Sequence, residues 1–375
     1  MRLLYFTRGY TAHDFRFLER LSREDVEVGY LALEPHGGPR DSRPLPPGVL
    51  ALAWPAEPPP FVWHRLFSFR RAFRQIVSSF QPDVVHAGPV QWSALIAAAA
   101  GCRPLLTMSW GSDLLLDARG GWGKWAARFA LARSTVLMCD CQTVRLAAER
   151  LGMPEDRILV FPWGVDLTLF TPGRSTTLRR RLGWQKAVVL LSARSWEPLY
   201  GVDVILEGFT RAAARIPHLR LLLLGDGTLR PLLTARIAEA GLQDRVYLPG
   251  RVAESDLPGF LRTADLYVSA SHSDGSSVTL LQAMACGLPA IASDIPANGE
   301  WLDDETGWLF RDGDAAQLAD RLAEAAGQPG ARRTRGRQAR KVAEARADWN
   351  RNTSRLIDAY HLALDLERSA PPPAA

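Results

Sequence analysis

Residues 269–301 read SASHSDGSSVTLLQAMACGLPAIASDIPANGEW. The apolar run Leu266-Tyr267-Val268 ends at Ser269, and a polar, glycine-containing loop follows, His272-Ser273-Asp274-Gly275-Ser276-Ser277. Val278 to Ala285 then reads as a helix, with Ser276 or Ser277 placed to cap it. Cys286-Gly287 ends the helix, and Leu288-Pro289 leads into a second strand, Ala290 to Ala292. Strand, loop, helix, strand is a βαβ unit, which belongs in a parallel sheet covered by helices. The loop lies where a strand's carboxyl end meets a helix N-terminus, so its N–H groups can hold an anion beside two hydroxyls. Every crossover has caps and glycines. That alone does not account for a carboxylate, Asp274, and an amide, Gln282, eight residues apart.

The same alternation runs outward in both directions. Towards the N-terminus, Leu3 to Phe6, Val26 to Leu31, Asp83 to His86, Leu105 to Met108, Thr135 to Cys139 and Ile158 to Phe161 read as strands separated by helical patterns. Residues 35–60 hold nine prolines and read as a loop or edge excursion. The pattern restarts after Thr171-Pro172-Gly173, with strands at Ala187 to Ser192, Leu219 to Leu224 and Val246 to Leu248. The 375 residues suit about two domains of roughly 150 residues each. The expected architecture is α/β: two facing, doubly wound Rossmann-like domains, with ligands in the interdomain cleft outside the strands' carboxyl ends. Residues 1–170 form the first domain, completed by a crossover helix over 349–366. Residues 171–348 form the second, and 367–375 read as a disordered tail.

Composition narrows the chemistry. Hydrophobic residues make up 47% and charged residues 23%, which is ordinary for a globular protein. Only three lysines occur, Lys124, Lys186 and Lys341, so Schiff-base chemistry has few candidates and arginine dominates the net charge of +5. The opening MRLLYFTRGY is too short an apolar run for a signal peptide, and no stretch approaches a membrane span. Cys102, Cys139, Cys141 and Cys286 show no zinc spacing and read as reduced thiols, pointing to the cytoplasm.

Several motifs are weak alone. Gly225-Asp226-Gly227 begins a dinucleotide fingerprint but has Arg230 where the third glycine belongs. It is either a tight strand-to-helix turn or a diphosphate cradle. Gly120 to Trp125 has the wrong spacing for a Walker loop. Asp312-Gly313-Asp314 has a metal-binding spacing, but Gln317 follows Asp314 in the manner of a capping box. Neither a metal nor a cofactor is expected.

With these segments together, the chain resembles glycosyltransferase family 4 (GT4), the retaining transferases of the GT-B fold. Asp274 to Ile291 is similar to that family's segment of two acids eight residues apart, and the likeness covers almost the whole chain. Pro162-Trp163-Gly164-Val165-Asp166, Arg194 with Gly201-Val202-Asp203, Leu222 to Gly227, Asp265 to Val268 and Asn298 to Trp301 also fit. The resemblance implies a nucleotide-sugar donor held by the second domain. Asp274 would stand by the donor sugar near the reaction centre, and Arg194 would contact the diphosphate. Gln282 would hold the ribose. Gly275, Ser276, Ser277 and Val278 would meet phosphate or sugar. Gly225, Gly227, Arg251 and Val252 would line the nucleotide side. Gly9, His13, Trp110, Gly111 and Asp113 would form the acceptor side. The chain departs from the family at four places: Asp274 and Gln282 replace glutamates, Tyr200 replaces a lysine, and Trp110 replaces a histidine.

The implied activity is retaining transfer of a hexose from a nucleotide diphosphate sugar to a glycan or lipid-linked acceptor, in polysaccharide or glycolipid synthesis. Retaining enzymes of this family are thought to use front-side attack, so no pair of catalytic carboxylates is required. One alternative is a catalytically weak relative that binds nucleotide sugars as a scaffold. A nicotinamide oxidoreductase is disfavoured by the broken fingerprint. The stretch Phe61 to Phe80 reads as a helix with an apolar face and the basic residues Arg65, Arg70, Arg71 and Arg74 elsewhere. It is expected to be a solvated basic side, or else a peripheral contact with anionic membrane at its inner face. The cluster Arg332 to Lys341 holds six basic residues and reads as a solvated helix. No nucleic-acid motif accompanies either.

Overall fold

A computed structural model describes residues 1–34 and 41–369. The chain forms two compact units, Pro162–Asn352 and Met1–Phe161 with the chain from Thr353 onward. The breaks thus fall at Phe161 and Asn352 rather than at residues 170 and 348. Packing explains the shift. Val165 and Phe170 are buried in the second unit's core, and Val165 bridges Asp348 in parallel. The last helical stretch is broken into Trp349–Asn352 and Ser354–Ser369, so the return to the first unit comes at Thr353. Of the expected disordered tail, residues 367–369 are the end of this helix, and 370–375 lie outside the described residues.

The first unit has a seven-stranded parallel sheet. Its strands are β1 (Arg2–Thr7), β2 (Glu27–Ala32), β3 (Val49–Ala51), β4 (Val84–Gly88), β5 (Leu105–Met108), β6 (Val136–Cys139) and β7 (Ile158–Val160), in the order β3-β2-β1-β4-β5-β6-β7. The proline-rich excursion supplies β3, a three-residue edge strand, where prolines cost the fewest ladder hydrogen bonds.

The second unit has six parallel strands: β8 (Val188–Ser192), β9 (Leu219–Leu224), β10 (Val246–Gly250), β11 (Leu266–Ser269), β12 (Ala290–Ser293) and β13 (Gly307–Phe310), in the order β10-β9-β8-β11-β12-β13. Both faces are covered, so the strands read as unbroken apolar runs. Successive side chains alternate between two cores. Leu190, Leu221 and Leu223 face one, while Val189, Leu191, Leu222 and Leu224 face the other. Arg179 is a buried cation, satisfied by Asp265 at 2.7 Å and by the carbonyls of Thr263 and Ala187 at 2.7 and 3.0 Å. It ties the segment before β8 to the segment before β11.

Candidate functional site

In the second sheet the strand order reverses between β8 and β11. The connections leaving these neighbours run in opposite directions and open a crevice at their carboxyl ends. The loop after β8 carries Arg194, and the loop after β11 carries Asp274. The structure brings them together. Arg194 Nη2 donates to Asp274 Oδ2 at 2.7 Å, and Nη1 donates to Ser277 Oγ at 2.7 Å and Thr279 Oγ1 at 3.3 Å. The guanidinium lies 4.2 Å from the Tyr200 ring centroid, a cation–π contact. Its Nε is buried without a partner. Burial opposes the Arg194 charge, yet Asp274 and the Tyr267 and Tyr200 hydroxyls hold its pKa above the ordinary value. Burial raises Asp274 despite Arg194 and the Gly275 N–H. The pair forms a charge-balanced, largely buried polar socket at the carboxyl end of the sheet.

The helix expected after the loop spans Val278–Ala285. Ser277 holds its N-cap position, but its hydroxyl makes no capping bond. The charged donor Arg194 takes that oxygen instead, leaving the first-turn N–H groups uncapped by it. Gln282, one turn further in, is 5% exposed, and its Oε1 has no partner. A buried amide oxygen without a donor is costly and suits a ligand hydroxyl. Ser276 Oγ accepts from Trp301 Nε1 at 3.3 Å, so this serine anchors the loop from behind. His272 Nδ1 lies 2.6 Å from Asp312 Oδ1, fixing the loop's outer side. Asp312 is thereby committed to His272. Asp314 caps the helix Ala315–Gly327 through the Gln317 N–H at 2.9 Å. The expected capping box is not closed, because the Gln317 amide oxygen accepts from the Arg311 N–H.

The glycines after β9 are explained by close packing. Gly225 has φ +119°, and a Cβ there would stand 2.5 Å from the Arg194 carbonyl. At Gly227 it would stand 2.5 Å from the Trp196 carbonyl. The turn therefore supports the Arg194 loop, and the Gly227 N–H is taken by Asp226 Oδ1 at 2.8 Å. Arg230 pairs with Asp226 at 2.7 Å on the exposed side of the turn. Gly225 N–H donates to the Gly250 carbonyl at 2.8 Å, which sets Arg251 and Val252 beside the turn. Arg251 is exposed, while Val252 is packed on the core.

In the first unit the order reverses between β1 and β4. Gly9 follows β1, His13 lies on the helix Ala12–Leu21, and the His13 and Trp110 rings are 5.6 Å apart. Gly111 has φ +88°. Asp113 does not belong with these as an acceptor contact. It is 2% exposed and accepts from the N–H groups of Val90, Trp110 and Leu114 at 3.0, 3.1 and 3.0 Å and from Ser109 Oγ at 2.6 Å. Its carboxylate organises the loop. A cavity of about 500 Å³, bounded by Tyr10, Tyr30, Trp54, Asp41 and Arg43, opens on this unit as well.

The basic helix Pro329–Arg346 is not simply solvated. Arg332, Arg335 and Arg340 donate to the carbonyls of Ala326, Asp304 and Phe170 at 2.7, 2.9 and 2.7 Å, tying the helix to other segments of its own unit. Sequence reading missed Thr279 and the His272–Asp312 pair, whose partners are distant in sequence. It also could not tell that Tyr200 stacks on Arg194.

Comparison with known proteins identifies the family and the fold. The profile of Glycosyl transferases group 1 matches residues 186–327, and that of Glycosyltransferase Family 4 matches residues 8–169. A D-inositol 3-phosphate glycosyltransferase of Thermobispora bispora is 32% identical over 337 residues, covering 82% of this chain and 78% of that protein. One from Saccharomonospora viridis is 34% identical over 213 residues, 54% of this chain, and the match spans about half of its own length, 49%. Among solved structures, Anabaena HepE in complex with UDP-glucose superposes with a TM-score of 0.79 at 18% identity, covering 96% of this chain and 99% of that one. Sucrose-phosphate synthase from Thermosynechococcus elongatus gives 0.78 at 18%, covering 99% and 100%. Two parallel-sheet units with these neighbours are the GT-B fold, and the chain belongs to the group 1, family 4 glycosyltransferases.

Proposed function

We propose that this chain is a retaining, nucleotide-sugar-dependent hexosyltransferase acting on a glycan or lipid-linked acceptor in polysaccharide or glycolipid synthesis. The observation that carries this reading is the socket at the second sheet's switch point. A buried arginine and an uncapped helix N-terminus stand together there, with an unpartnered amide oxygen one turn away. Breaking a sugar–diphosphate bond places negative charge on the leaving diphosphate and positive charge on the anomeric carbon. Arg194 and the N–H groups from Val278 onward stabilise the first. Asp274, held by Arg194, stands beside the sugar, and the Gln282 amide accepts from a ribose hydroxyl. Gly9, His13, Trp110 and Gly111 serve the acceptor. The mechanism is front-side attack, in which a donor phosphate oxygen takes the acceptor proton. The reading draws support from structural neighbours solved with UDP and with UDP-glucose. Neither metal nor cofactor enters it.

The test compares wild type with Arg194→Ala in donor hydrolysis and transfer, across a panel of nucleotide sugars. Loss of a charged leaving-group contact lowers kcat by about a hundredfold or more. Equal and negligible turnover in both proteins, with nucleotide binding retained, would identify a binding or scaffold protein instead.

A further inference from the structure

Among the described residues, the exposed large hydrophobic side chains include four aromatics: Trp63 at 64%, Phe67 at 73%, Trp122 at 37% and Trp125 at 49% exposure. They do not scatter. Trp63 lies in the turn Trp63–Arg65 that leads into the helix Leu66–Phe80, where Phe67 stands, and the other two lie on the helix Gly121–Leu131. Helix Leu95–Ala100 packs against both, so the three make one layer of the first unit.

The first helix buries Phe69, Phe73, Ile76 and Phe80. Its opposite face carries Phe67, Arg70, Arg71, Arg74, Gln75 and Ser78, which line a groove of about 570 Å³. The second helix's exposed aromatics touch one another. Trp125 stacks on Phe129 at 5.3 Å and lies 6.3 Å from Trp122, beside Lys124 and Arg128.

Charge on this layer has a single sign. No aspartate or glutamate occurs between Glu57 and Asp83, between Asp83 and Asp113, or between Asp117 and Asp140. Exposed arginines without acids repel one another, and exposed tryptophans cost hydration. Both liabilities are removed at once by an anionic bilayer surface, where aromatic rings sit at head-group depth and cations meet lipid phosphates.

We infer that this layer docks the first unit onto an anionic lipid bilayer, with Trp63, Phe67, Trp122 and Trp125 entering the head-group region and Arg65, Arg70, Arg71, Arg74, Lys124 and Arg128 contacting lipid phosphate. The inference does not depend on the donor-site reading.

Co-sedimentation of the full chain with vesicles tests it. One set is phosphatidylcholine alone, and the other is phosphatidylcholine with phosphatidylglycerol in equal parts. Wild type pellets with the anionic set and not with the neutral set, and salt weakens the binding. The double variant Arg65→Gln, Arg71→Gln lowers affinity about fivefold per arginine. Trp63→Ser with Trp125→Ser weakens binding even at low salt. The control Arg333→Gln, Arg337→Gln, on the other basic helix, changes nothing. All substituted side chains are exposed, and an unchanged melting temperature establishes that the variants fold. The inference is overturned by absence of binding to the anionic set, by equal binding to both sets, or by variants that bind like wild type. It is also overturned by retention on single-stranded DNA, or by self-association through this face, without vesicle binding.

Discussion

Asp274 occupies the arginine proposed to meet the donor diphosphate. Arg194 is shared between Asp274 Oδ2 and Ser277 Oγ, both at 2.7 Å. A bound diphosphate competes with the carboxylate for the same Nη groups. Asp274→Asn removes one negative charge from that contest while keeping an acceptor oxygen. The variant therefore binds a nucleoside diphosphate more tightly, by up to about tenfold, while transfer falls. Calorimetric titration beside an activity assay checks both arms, and weaker binding by the variant refutes the idea. Gln282→Ala acts in the opposite sense. It deletes the orphaned Oε1, and affinity for the nucleoside diphosphate falls by roughly fivefold, about 1 kcal/mol, with little change for the free diphosphate. At this scale the sequence named the residues but not their bonds. Asp274 and Gln282 were legible as a carboxylate and an amide eight residues apart across a loop and a helix, whereas Arg194 was legible only through the family resemblance. The full saturation of Asp113 and the stacking of Tyr200 were not, because Asp113 takes its Val90 partner from the loop after β4, and Tyr200 meets Arg194, six residues earlier, only when the loop after β8 folds back on itself.

Elements show how tightly the socket is braced. Gly201 has φ +58°, and a Cβ there would stand 2.1 Å from the Ala270 carbonyl. It begins the helix Val202–Arg215 and lies against the residue that follows β11. Gly201→Ala must push these two loops apart, and they carry Tyr200 on one side and His272 on the other. The expected cost is about 2 kcal/mol or more, with weakened donor binding. Thermal unfolding and nucleotide titration of the variant decide the matter, and an unchanged melting temperature would contradict the packing. Most buried strands were legible from their apolar runs, and Val278–Ala285 and Leu266–Ser269 match to the residue. The strand β3 was not, since its sequence is proline-flanked and only its pairing with β2 makes it a strand. Nor was β13, where Gly307-Trp308-Leu309-Phe310 follows a turn and is recognisable mainly by its pairing with β12.

At the scale of the whole molecule, the domain breaks were misplaced because composition marks linkers while packing decides membership. Thr171-Pro172-Gly173 looks like a boundary, yet Phe170 before it belongs to the second unit's core. Beside Asp113, whose pKa burial also raises, two buried groups of the first unit respond to acid in opposite senses. His86 is pushed down to about 3 by burial, with Nδ1 2.7 Å from the Tyr360 hydroxyl. Asp14 is raised to about 6, chiefly by burial, against hydrogen bonds from Thr11, Thr7 and Tyr5. The signs oppose. A histidine with a depressed folded value contributes stability above its unfolded value, near 6.5, and loses it as pH falls. An aspartate with a raised folded value binds its proton first in the folded state, so stability is gained as pH falls from about 6 towards the unfolded value near 4. Each group changes stability by about 1.4 kcal/mol per pH unit in its window. Between pH 6 and 4 the two nearly cancel. Asp14→Asn removes the gain and leaves the loss, so the variant's stability falls about 1.4 kcal/mol per pH unit more steeply than wild type across that window. Urea denaturation at pH 6.5 and 4.5, read as the difference between variant and wild type, isolates these groups from other carboxylates. Parallel stability–pH curves for the two proteins would show that Asp14 titrates as an ordinary exposed carboxylate and that its burial does not govern the first unit's acid behaviour.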